Sequence, residues 1–87
     1  MRFKVEGASA AAGANVGAAS TVQDATEVLA VNTTANPHLV TIANSSDTTL
    51  GTFNLAGGDM VVLVKAASDQ IFAANVGVTL SPVNTRV

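Results

Sequence analysis

His38 is the one side chain in this sequence whose ordinary pKa would let it exchange a proton near neutral pH. A catalytic base needs a nucleophile and an orienting partner within reach. Asp47 is the nearest acidic residue downstream, and no serine sits in a nucleophile-elbow pattern. His38 follows Pro37 at the start of an apolar run, where a lone histidine reads as a strand-end residue. No catalytic residue is expected, and the chain does not read as an enzyme. Asp47, Asp59 and Asp69 fall in three successive turn clusters and could offer oxygen to calcium, which takes about 6–8 ligands. Successive turns alternate between the ends of a β structure, which puts Asp47 and Asp69 together and Asp59 opposite. Turn chemistry is the expected role of all three, and no metal or cofactor is expected. The stretch Gly13-Ala14-Asn15-Val16-Gly17 lacks the spacing and the following Lys-Ser/Thr of a phosphate loop. Asn32-Thr33-Thr34 and Asn44-Ser45-Ser46 fit the glycosylation sequon, which matters only in a eukaryotic secretory protein.

The composition fits the same reading. The chain has 87 residues, enough for a single domain, and no cysteine, so neither disulfides nor thiolate metal sites can brace it. Of its apolar residues 16 are Ala and 13 are Val, and the aromatics are Phe3, Phe53 and Phe72 alone. A small core built from such short side chains gains most from burial against other subunits. A homo-oligomer or a larger assembly is therefore expected. Arg2, Lys4, Lys65 and Arg86 are scattered and the net charge is −2, which speaks against nucleic acid as a partner. Without Trp or Tyr the chain also lacks the stacking platforms of sugar and single-strand binders. Met1-Arg2-Phe3-Lys4 precedes an Ala/Gly/Ser stretch too weakly apolar for a signal peptide, and no run is long enough for a membrane helix.

The elements that must position any surface are short strands. Arg2 to Glu6 alternates, with Phe3 and Val5 on one face. Residues 7–20 are rich in Ala and Gly with no helical stripe, and read as an extended or flexible arm before a main β body over 21–83. Strands are predicted at Val28–Asn32, His38–Ala43, Leu50–Leu55, Met60–Lys65, Gln70–Ala73 and Val78–Leu80, the last stopped by Pro82. Turn clusters recurring at this spacing, with short links that favour antiparallel neighbours, predict an all-β fold. The expected form is a small antiparallel sandwich or barrel of about 6–8 strands. Met60-Val61-Val62-Leu63-Val64 is apolar on both faces, although one face of a small antiparallel sheet ordinarily meets water. Either this strand buries its second face against another chain, which makes Val61 and Leu63 candidate protein contacts together with Ala10, Ala14 and Val16 of the arm, or it is a central strand covered by the arm.

Two stretches carry a likeness. They run from Val31-Asn32-Thr33-Thr34 through Leu39-Val40-Thr41-Ile42-Ala43-Asn44, and from Leu55-Ala56-Gly57-Gly58-Asp59 through Lys65 to Ala73. Their order resembles small all-β virion structural proteins of tailed bacteriophages of the marine and cyanobacterial type. There a similar strand pair is followed by a Gly-rich turn, an apolar strand and a Lys…Asp…Ile/Leu segment. The resemblance covers about residues 28–80, consists of turn and strand grammar, and transfers no catalytic or binding residue. It implies a capsid decoration or cement protein on the virion surface, held by the major capsid protein and by copies of itself. A tail or head–tail junction component, or a receptor-adhesion module, is the alternative. A secreted non-viral β-sandwich binding module is a further one.

Overall fold

The computed structural model describes residues 2–86 and contains eight short strands. They are β1 (Lys4–Val5), β2 (Ala10–Ala11), β3 (Glu27–Asn32), β4 (His38–Ala43), β5 (Thr49–Leu55), β6 (Met60–Val64), β7 (Gln70–Ala73) and β8 (Val78–Asn84). Every pairing is antiparallel. One sheet runs β8-β3-β6, with β1 and β2 in succession along the outer edge of β8; the other runs β5-β4-β7. The chain is 19 Å thick along its short axis, which two sheets about 10 Å apart and their side chains fill. It is a small β-sandwich.

Alternation decides which residues meet between the sheets. Val28 and Ala30 of β3, Val40 of β4, Ile71 and Ala73 of β7 and Val78 and Leu80 of β8 form the buried centre, with Ala12 from the arm. Of the consecutive strands from β3 onward, only β4 and β5 pair with one another. Links β3–β4, β5–β6, β6–β7 and β7–β8 all cross between sheets. The expectation that short links join paired neighbours is thus corrected: a four- or five-residue link spans the gap between layers as readily as it closes a hairpin.

Asn32 fastens one such crossing. It is fully buried at the end of β3, donating from Nδ2 to the carbonyls of Asn36 (2.8 Å) and Leu55 (2.9 Å). Its Oδ1 accepts from the Thr34 amide (2.9 Å) and hydroxyl (2.7 Å). All four bonding positions of the amide are used, as a buried polar group requires. The side chain has no access for a glycan.

The arm lies against both sheets. Ala10 and Ala11 pair with Leu80 and Thr79, and the Ala12 amide donates to Val78. One residue on, the Gly13 carbonyl accepts from Ala73 of the opposite sheet, and Ser20 bridges Ile71. Gly13 is required there, since a Cβ would lie 2.1 Å from the Ala18 carbonyl oxygen. The arm thus covers the outer edges of β8 and β7.

Two further details depart from the sequence reading. The N-terminal strand is only two residues long, and Val5 is exposed. Pro82 does not end β8; it lies inside the strand, opposite Val28. Its carbonyl accepts from Glu6, so its nitrogen faces the same outer edge, at the interruption between β1 and β2. A proline is tolerated in a strand where no ladder bond is asked of its nitrogen.

Candidate interaction surface

A sandwich has four sheet edges, and each is a row of donors and acceptors that natural proteins cover or blunt. The arm covers β8 and β7. On β5 the register shifts at Ile42/Ala43, with Leu50 as the extra residue, and such a bulge twists an edge away from further pairing. The edge of β6 has none of these devices. Its register with β3 is regular throughout, and it holds no proline, charge or glycine.

The outer face beside that edge is apolar as well. Inward alternation of Val28, Ala30 and Asn32 turns Leu29 and Val31 outward, where they lie opposite Val62 and Met60. Val64, opposite Glu27, is 78% exposed and Met60 is 47% exposed. Leu29, Val31, Met60, Val62 and Val64 thus share one outward patch on two adjacent strands, on a face that water would normally make polar.

The five residues singled out from the sequence are distributed differently. Val61 and Leu63 point inward, half-buried against the core at its open margin. Ala10 is exposed in β2, and Ala14 and Val16 are exposed around the short 3-10 turn at Val16–Ala18. The arm residues lie along the covered edges, away from β6. The outward set was readable in part: the doubly apolar β6 announced itself, but alternation alone cannot say which of its faces is the interior. Val28-Leu29-Ala30-Val31 carries the same doubly apolar signal, and the outward Leu29 and Val31 extend the patch.

Polar groups near the patch are engaged locally. The Glu27 carboxylate accepts from the Thr85 amide (3.3 Å) and from the Thr85 hydroxyl. Those bonds, with Arg86 nearby, hold its pKa below the ordinary glutamate value against the opposing effect of burial. Lys65 follows β6 and is only 7% exposed; its Nζ donates to the carbonyls of Ala66 (3.2 Å) and Ala67 (3.3 Å). Burial lowers its pKa, partly offset by Asp69 and Asp24. A cleft of about 500 Å³ adjoins Val64, with Glu6, Asp24, Glu27 and Arg86 among its lining residues.

His38 opens β4 opposite Leu55, and the strand separates it from Asp47 by roughly 20 Å at about 3.3 Å per residue. Asp47 accepts from Gln70 Nε2 (2.9 Å), next in sequence to Asp69, which accepts from the Ala66 amide (3.2 Å). Asp59, at the other end of the sandwich, accepts from the Met60 amide (2.8 Å). Asp59 and Asp69 each serve their own turn, while Asp47 ties its turn to Gln70 at the start of β7. Comparison with protein-family models, with curated proteins and with solved structures gives no significant match to this chain.

Proposed function

We propose that this chain is a virion structural protein that decorates and cements a capsid, docking on the major capsid protein and on copies of itself. The observation that supports it best is the outward apolar patch of Leu29, Val31, Met60, Val62 and Val64 beside an unblunted sheet edge. Such a surface is suited to burial on another protein and has no use in binding a small polar ligand. A rigid two-layer body, presented in many copies, can strengthen a shell through repeated weak contacts that sum by multivalency. The sequence likeness to phage virion proteins supplies the choice of partner.

Co-sedimentation of the purified chain with shells stripped of it tests the reading. Saturable binding in fixed ratio to the capsid protein is expected, with at least tenfold weaker binding by Val64→Lys, since burying a lysine in an apolar contact costs well over about 1.4 kcal/mol. Failure to bind shells, or binding confined to tails, contradicts it.

A further inference from the structure

We infer that the β6 edge pairs with the β6 edge of a second copy, antiparallel about a two-fold axis through Val62, making one continuous sheet across the dimer. The inference rests on the reading above only in so far as that reading calls for contacts between copies.

Hydrogen bonding fixes which groups are free. The Lys65 amide donates to Thr26, and the Asp59 carbonyl accepts from Asn32, so odd-numbered residues here point their main-chain groups at β3. Antiparallel alternation then aims the N–H and C=O of Met60, Val62 and Val64 at the open edge. The ends of this window are closed by side chains: Asp59 takes the Met60 amide and Asp69 takes the Ala66 amide. Two donors remain on each chain, from Val62 and Val64. With the axis at Val62, each Val62 amide meets the partner's Val62 carbonyl and each Val64 amide meets the partner's Met60 carbonyl. Every remaining donor is thereby satisfied.

Moving the axis to Leu63 would also satisfy those donors, and charge chooses between the two. The Val62 register places Asp59 directly opposite the partner's Lys65, on the same sheet face, at both ends of the interface. The Leu63 register sets Asp59 against Ala67 and Lys65 against Val61. Opposite charges facing across an antiparallel pair are stabilising. Lys65 Nζ hydrogen-bonds to the carbonyls of Ala66 and Ala67, with Asp69 and Asp24 the nearby carboxylates. Asp59 of a second copy would add a third carboxylate to a lysine that is otherwise buried. The Val62 register also overlaps the whole of β6, and the contact is isologous, closing at two copies.

The chain lacks cysteine, so single cysteines report the register without interference. A hydrogen-bonded antiparallel pair, as Val62 forms with its copy in this register, has its Cα atoms about 5.5 Å apart, within the span of a disulfide. Val62→Cys is expected to cross-link to a dimer under mild oxidation. Met60→Cys is expected to stay uncross-linked, since its own copies are roughly 14 Å apart, whereas the Met60→Cys/Val64→Cys double variant cross-links. By sedimentation, the unmodified chain is expected at twice 8.7 kDa and Val62→Lys, still folded by circular dichroism, at 8.7 kDa. A monomeric unmodified chain, cross-linking of Met60→Cys as fast as Val62→Cys, or a Val62→Lys dimer each overturns the inference. Because shell binding is measured separately, a monomer that still coats shells refutes this pairing alone, and a dimer that ignores shells refutes the decoration reading alone.

Discussion

At the scale of single residues, the molecule is held by a few side chains whose roles depend on what surrounds them. Asn32 satisfies two carbonyls and two donors at a sheet-to-sheet crossing. Asn32→Asp would set carboxylate oxygen against the Asn36 and Leu55 carbonyls in a buried site, and is expected to cost about 3–5 kcal/mol. Urea denaturation checks this; a loss below about 1 kcal/mol would contradict it. Lys65 is the one charge buried among the described residues, and its pKa is lowered chiefly by that burial. In the window between the lowered folded value and the ordinary lysine value, the unfolded chain binds more protons than the folded one. Stability attributable to Lys65 therefore rises as pH rises through that window. The difference in urea midpoint between the unmodified chain and Lys65→Met should move in that direction with pH, and a pH-independent difference would refute the assignment. Val22, Gln23 and Asp24 are three successive residues at positive φ, with Ala25 donating back to Val22. Left-handed backbone costs L-residues roughly 1–2 kcal/mol each. The exposed Gln23 can be relieved, and Gln23→Gly is expected to raise stability by about 1 kcal/mol in the same assay.

At the scale of elements, the strand ladder was legible and its wiring was not. His38–Ala43 and Gln70–Ala73 lie where alternation and turn residues place them, because those signals are local. Pairing is decided by burial between distant segments, so a short link cannot reveal whether it closes a hairpin or crosses a layer. Proline lacks a backbone donor, which favours a strand end at Pro82 in sequence; in the fold that donor is not missed, because the neighbouring edge is interrupted there. The left-handed turn at Val22 to Asp24 follows no composition rule, and nothing local marks it. The Ala/Gly arm said little of its course, since small residues fit many surfaces; Gly13 matters for its close approach to Ala18. Gly13→Ala should force that segment off the sheets and lower the thermal midpoint, with a loss of about 1–3 kcal/mol. An unchanged midpoint would mean that the arm contributes nothing to the fold.

At the scale of the whole molecule, two sides of the sandwich differ in how they are finished. The arm lies over the outer edges of β7 and β8; β6 and the outer face it shares with β3 remain apolar and open. The candidate surface was half legible from sequence, as a strand apolar on both faces, and the missing half was direction. Val61 and Leu63 went inward because the β3 partners beside them, Ala30 and Val28, form the core. On the proposed reading such a body is repeated and pressed against neighbours, where weak contacts accumulate.

The most direct test is a cryo-electron microscopy reconstruction of the virion proposed to carry the chain. The sandwich is expected on the shell, with Leu29, Val31, Met60, Val62 and Val64 against protein and β6 beside a second β6. A reconstruction in which that face looks out to solvent, with the chain held by some other side, would contradict it.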